Sequence, residues 1–274
     1  MTGFSTCLFV GFVAGVWANQ VQGSVLRRET PHQKGRHAVN FVNALEFKHR
    51  LRICNAYPYS AAMDVYKGKL SLTADSSMPY KGCRDFVTPL KAGDKLEFKV
   101  GDSNAGTFSV SDLPNNDAVL FLAIHRHDTL GTAVSFESHV FANLLNAQVA
   151  IIDTYKGTGK AVPEIMDAPV GGKKSKRSER LRFDSVVAVN PGVYDVALVG
   201  QDGSSKARSS LVALNRESYV IMRTGVEAKQ GPSYPEDIVI YPRSDVAALQ
   251  GGAAAQKAMV SVLLAAVAAI ASVA

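Results

Sequence analysis

The chain has 274 residues, of which 47% are hydrophobic and 20% charged, with a formal net charge of +6. That is enough apolar material for about two domains of roughly 100–200 residues each, and it excludes disorder for the bulk of the chain. The basic excess is mild and diffuse: it fits an anionic glycan or a membrane surface, and with no basic helix interleaved with aromatics it does not fit nucleic acid.

The first element is an apolar run from Thr6 to Trp17, followed by small residues at Ala18 and Gly23. A run of that length before small residues predicts a secretory signal peptide over 1–23, cleaved after Ala18 or Gly23. The alternative is a buried helix or an uncleaved anchor, since no Lys or Arg precedes the run. Residues 24–36 read as a linker carrying the dibasic pair Arg27-Arg28. Removal of the signal takes Cys7 with it and leaves Cys54 and Cys83. In an oxidising compartment two cysteines predict one disulfide, closing a loop of about 30 residues and contributing about 3 kcal/mol. The other reading is a pair of buried thiols.

From Arg36 to Tyr241 short β-branched and aromatic runs alternate with turn residues, which predicts strands. Leu51 to Ala56 alternates. Leu96, Phe98 and Val100 share one face and Glu97 and Lys99 the other, after a turn at Ala92-Gly93-Asp94. Thr107–Val110 and Ala118–Ile124 are further strands, separated by Leu113-Pro114-Asn115-Asn116-Asp117. Helical periodicity is confined to the neighbourhood of Glu137 to Asn146. A repeat runs through this region. Leu90 to Phe98 resembles Val189 to Ala197, with Gly93 and Gly192 lying 99 positions apart, and Leu113 to Leu120 resembles Leu214 to Ile221 at 101. A spacing of about 100 residues is that of one immunoglobulin-like sandwich. The expected fold is all-β: two such sandwiches in tandem, over 37–143 and 144–243, with the joint near Phe141–Asn146 and the second opening on the strand Gln148–Ile152.

The stretch Arg52-Ile-Cys-Asn-Ala-Tyr-Pro58, continuing to Asp64-Val-Tyr66, resembles the opening of a family of secreted immunoglobulin-like repeats of unknown function. That family begins R-V-x-H-A-x-P and continues to V-D-V-Y, with a P-A-G-x-Y hairpin after it; Asn190-Pro-Gly-Val-Tyr194 is similar to that hairpin. Asn55 stands where the family often has His. The tandem layout is also similar to the periplasmic accessory protein of alginate O-acetylation, whose strand opens V-R-V-x-N-A. The resemblance implies a β-sandwich fold, no catalytic residue in the chain itself, and a structural role for Asp64.

Candidate chemistry is sparse. His125 and His127 share a strand face and can reach one metal ion, with His139 or Asp128 as a third ligand only after folding; the other reading is a polar strand end. Gly157-Thr158-Gly159-Lys160 lacks the phosphate-loop spacing and reads as a turn. Lys173, Lys174, Lys176, Arg177 and Arg180 form the densest charge run, in a loop after Gly171-Gly172 that reads as an anionic-ligand loop, a protease site or a solvated insertion. The run Ala258 to Ala274 is apolar apart from two serines, with no Lys or Arg after it. It predicts a lipid-anchor signal, with attachment at Ser244 or Gly251, or else a short anchoring helix or a soluble Ala-rich helix. No cofactor is expected. The functional expectation is a non-catalytic protein at the outer face of a membrane that binds polysaccharide or a protein partner. The alternatives are an accessory subunit of exopolysaccharide O-acetylation and a metal enzyme centred on His125 and His127.

Overall fold

The computed structural model describes residues 47–142, 146–168 and 177–249. The expected signal peptide and linker, Lys173, Lys174, Lys176, Gly251 and the apolar tail lie outside the described residues. Of two compact units, Met1–Ala44 and Leu45–Ala274, the second holds everything described below.

Sixteen strands run in order among the described residues: β1 His49–Asn55, β2 Met63–Lys67, β3 Leu70–Ser71, β4 Cys83–Phe86, β5 Lys95–Val100, β6 Ser103–Ser109, β7 Ala118–Arg126 and β8 Val134–Ala142, then β9 Ala147–Asp153, β10 Val162–Asp167, β11 Ser178–Arg180, β12 Ser185–Val189, β13 Gly192–Val199, β14 Ser205–Ala213, β15 Ser218–Val226 and β16 Tyr234–Tyr241. They form sheets in the orders β4-β1-β7-β8 and β3-β2-β5-β6, then β12-β9-β15-β16 and β11-β10-β13-β14. Strand for strand, the second eight repeat the first. The all-β expectation is met: two pairs of sheets, each pair a sandwich. Helical periodicity near Glu137 misled, because Glu137 to Ala142 belong to β8, which pairs with β7 along its length. The long apolar side chains there face alternate sides of a sheet, and strand pairing overrides the weak helical spacing.

Each sandwich has its own core. Leu51, Ile53, Val65, Leu96, Phe98, Leu122 and Ile124 fill the first. Val149, Ile151, Val196, Leu211, Tyr219 and Ile221 fill the second. Successive side chains on a strand point to opposite faces, and the opposite faces of β1, β7, β9 and β15 are buried too. Cys54, Ala56, Phe121, Ala123, Phe141, Ala150, Ile152, Val220 and Met222 make a third apolar cluster, in which the sheet of β1 and β7 packs on the sheet of β9 and β15. The described residues of the second unit thus hold four sheets with an apolar seam between the two sandwiches.

A local signature marks the repeat. The Tyr57 backbone N–H donates to Asn55 Oδ1 at 3.0 Å, and the Tyr155 N–H donates to Asp153 Oδ1 at 3.0 Å. The short polar side chain caps the strand end by mimicking a backbone turn. Leu51-Arg-Ile-Cys-Asn-Ala-Tyr57 and Val149-Ala-Ile-Ile-Asp-Thr-Tyr155 are therefore the same element 98 positions apart.

Candidate functional site

The seam is closed by charge as well as by apolar packing. Arg52 points from β1 into it and is fully buried. Its Nε and Nη2 donate to the two oxygens of Asp85 at 2.8 and 2.9 Å. Nη1 donates to the Ser218 carbonyl, Nη2 also reaches Glu217 Oε1 at 3.3 Å, and the guanidinium lies 5.1 Å from the Tyr241 ring centre. Burial alone would lower its pKa, but the Asp85 and Glu217 carboxylates outweigh burial and hold it above the ordinary value. Arg50 stands behind it, 3.6 Å from Asp85 and 4.0 Å from Glu217. Lys81 crosses the seam to Asp237 at 2.5 Å, and Tyr80 meets Tyr234 edge-on at 5.3 Å.

The two sandwiches run in the same direction. Strands β1 and β7 are parallel, as are β9 and β15. The connection after β7 meets the connection after β15, where Lys229 N–H donates to the Thr129 carbonyl at 2.8 Å. At the opposite pole, where those strands begin, the sandwiches splay apart and leave an open cleft of about 970 Å³. Sandwich 1 supplies Phe47, Lys48 and the 87–91 and 113–117 loops; sandwich 2 supplies Asn146, Gln148 and the 216–218 turn. The 113–117 loop is fixed in place: His49 Nε2–H donates to the carbonyls of Pro114 at 3.1 Å and Asn116 at 3.2 Å, and Asp117 accepts the Lys48 backbone N–H at 2.8 Å. The lip is apolar, with Val87 93% exposed and Phe47 36% exposed. In the wall, Gln148 Oε1 is buried with no hydrogen-bond partner. An apolar lip, amides and cations converge here. We take this cleft as the candidate ligand site.

The structure places the residues singled out in the sequence as follows. Cys54 and Cys83 are bonded, as expected; they are register partners on β1 and β4 with Cα atoms 4.1 Å apart. His125 is buried in the seam, its Nδ1–H donating to the Arg126 carbonyl at 2.8 Å, while His127 is exposed and sits 3.2 Å from Asp128. His139 faces the seam on β8, edge-on to Phe141 at 4.7 Å. No group of three or more His, Cys, Asp or Glu side chains able to hold a metal ion occurs among the described residues. Burial pushes the His125 pKa down to about 4. Asp64 accepts from Thr73 Oγ1 at 2.9 Å and Ser77 Oγ at 2.6 Å, and so holds the loop after β3.

The 157–160 segment is a turn held by an acid: Thr158 N–H and Oγ1 both donate to Glu227 Oε2 at 2.8 Å, and the Gly159 carbonyl accepts from buried Arg223 at 2.7 Å. Both Thr158 donors are thus engaged by a carboxylate. Of the basic loop, Arg177 lies 3.5 Å from Glu179, and Arg180 ends the exposed edge strand β11. The Ser244 hydroxyl bonds the Tyr219 hydroxyl at 2.9 Å. No helix among the described residues is long and apolar enough to cross a membrane.

The cleft is not apparent from sequence motifs, and although Arg52 opens the stretch that carries the family resemblance, nothing local shows that it is buried in a seam. One signal did exist. Ala118 to Ile124 is apolar without a break, and an unbroken run marks a strand buried on both faces.

No protein-family model and no curated protein matches this chain. Among solved structures it is similar to a family 26 carbohydrate-binding module of Eubacterium rectale, crystallised in complex with maltoheptaose. The identity is 10% and the TM-score 0.26, over 72% of this chain and 98% of the module. It is also similar to the TIE protein of Bacillus anthracis, at 9% identity and a TM-score of 0.21, over 67% of this chain. The chain spans about a third of that protein, 34% of its length. Likeness at this level carries no argument about a ligand.

Proposed function

We propose that this is a non-catalytic, secreted or cell-surface β-sandwich protein that binds extracellular polysaccharide in the cleft at the end of the seam. One observation carries the reading: a preformed open cleft of about 970 Å³ that joins an apolar lip to amides and cations. A pyranose ring offers apolar C–H faces and a rim of hydroxyls, and a site that recognises it needs both kinds of surface. The rigid seam keeps the two walls in register, so little ordering cost falls on binding. The signal-like run before Ala18 and the apolar stretch 258–274 support placement at the outer face of a membrane. The resemblance to the alginate O-acetylation accessory protein and the tandem sandwiches support a second reading, docking of a transferase beside a polymer.

The test is a glycan array and a polysaccharide pull-down with the protein recovered from secretion. Retention on one or more polymers, lost when the cleft is blocked by a bulky substitution at Asn115, is the expected result. No retention on any polymer above the bare-matrix control would overturn the reading. Co-purification with an acyltransferase would instead favour the second. Mass spectrometry of the mature C-terminus tests the anchor: ethanolamine on Ser244 or Gly251 is expected, and an intact Ala274 sinks it.

A further inference from the structure

We infer that the cleft selects acidic polysaccharide chains, and that Lys48 and Arg216 supply the selectivity from its two sides. The inference rests on the polysaccharide reading above. It begins with which charges in the cleft are already committed. Lys48, Arg50, Lys91 and Arg216 line it, against Asp117 and Glu217. Glu217 is committed: with Asp85 it faces the buried Arg52 and the half-exposed Arg50, two carboxylates against two guanidinium groups. Asp94, beside Lys91, pairs with Lys67 at 2.8 Å. Asp117 accepts the Lys48 backbone N–H. Among the described residues, no carboxylate pairs with the side chain of Lys48 or Arg216. Lys48 and Lys91 on the wall from sandwich 1 and Arg216 on the wall from sandwich 2 therefore stand without a paired carboxylate among the described residues.

The backbone at Arg216 points the same way. Three non-glycine residues have left-handed φ among the described residues: Lys81 at 67°, Asp184 at 56° and Arg216 at 61°. That conformation is unfavourable for a side chain with a Cβ. At Lys81 it aims the ammonium at Asp237 across the seam, so the contact accounts for the strain. At Arg216 no protein partner accounts for it. The aligned residue of sandwich 1, Asn115, is not left-handed, so this backbone conformation belongs to the turn of sandwich 2 alone. Strain of this kind is retained where a side chain must be presented to something. The third feature is Gln148, which lines the cleft and whose buried Oε1 has no hydrogen-bond partner. A uronate-type sugar carries both complements, hydroxyl donors and a carboxylate for the cations, next to a ring face for Phe47 and Pro89. An acidic peptide supplies the carboxylates without the ring of hydroxyls.

The experiment is calorimetric titration of the secreted protein with a polyuronate, a neutral glucan and poly-glutamate, at about 50 and about 300 mM salt, the range over which screening tightens. The expected result is polyuronate binding that weakens with salt, no comparable binding of the other two, and a loss of about tenfold in Lys48→Glu/Arg216→Glu. A charge reversal at the other pole, Lys229→Glu, leaves affinity unchanged. The variant Arg216→Gly relieves the backbone, so it should keep or raise Tm while lowering affinity. Unchanged affinity in the double variant overturns the inference. So does poly-glutamate bound as tightly as polyuronate. A neutral glucan bound equally well and without salt dependence overturns this inference and leaves the polysaccharide reading standing; no binding of any polymer overturns both.

Discussion

Single side chains set the most distinctive properties of the molecule. Arg52 is a buried cation whose partners, Asp85 and Glu217, reach solvent. Removing it strands carboxylates that water can partly rescue, so Arg52→Ala should cost about 2–4 kcal/mol in urea unfolding, below the extreme for a fully enclosed pair. Arg52→Met keeps the volume and should cost less; equal losses would show that charge and its hydrogen bonds, not packing, are what Arg52 supplies. His125 has the opposite character, a buried imidazole kept neutral. Burial lowers its pKa to about 4 from the ordinary 6.5. Above pH 6.5 folded and unfolded chains are both neutral there. Between about 6.5 and about 4 the unfolded chain takes up the proton and the folded one does not, so stability falls as pH falls, by about 3 kcal/mol, and levels off below. Glu137, whose Oε1 lies 3.7 Å from His125 Nε2, has its pKa raised by burial and by Asp184, which acts in the opposite sense just above the ordinary carboxylate range. His125→Leu should flatten the fall between pH 6.5 and 5 in Tm measurements. A slope that survives the substitution would assign it elsewhere.

At the scale of strands, two constraints stand out. The disulfide ties β1 to β4 across 29 positions, and Cys54 is also part of the seam. Cys54→Ala with Cys83→Ala should lower stability by about 3 kcal/mol through loop entropy, with a further loss from seam packing. Glycine positions separate backbone cost from steric cost. At Gly225 φ is +124°, and a Cβ would stand 2.6 Å from the Pro235 carbonyl oxygen, where the β15–β16 ladder shifts register. At Gly93 φ is +87° with nothing within 4 Å. Gly93→Ala should cost about 1 kcal/mol, the backbone term alone, and Gly225→Ala clearly more, measured by thermal unfolding of the pair. Most strand positions and the register of the repeat were legible, because alternation and turn chemistry are local. Arg52 was not. Alternation in Leu51–Cys54 reads as one inside and one outside face, yet both faces are buried, and only a second sheet laid over the first makes that so.

The two sandwiches are expected to unfold together because the seam between them is apolar and buried. Phe121, Ala123, Val220 and Met222 meet there at no more than 2% exposure. A cut through such an interface would expose apolar surface comparable to a domain core, so calorimetry should show a single cooperative transition for both sandwiches. Ala123→Asp puts a charge in the middle of the seam and should split that transition in two, or lower it by several kcal/mol if the halves cannot stand alone. A single transition at unchanged Tm would mean the seam contributes little.

The division between sequence and tertiary structure follows from range. Composition, alternation, turn residues and spacing are properties of neighbouring positions, and by themselves they determined an all-β chain with an internal repeat of about 100 residues and a cysteine pair fit to bond. The docking of one sandwich on the other depends on which face meets which across more than 160 positions, as Arg52 meets Glu217 and Ser218. No local pattern carries that information. The cleft exists only where the docked sandwiches part, so its walls, its committed and uncommitted charges and the presentation of Arg216 were decided by tertiary structure alone.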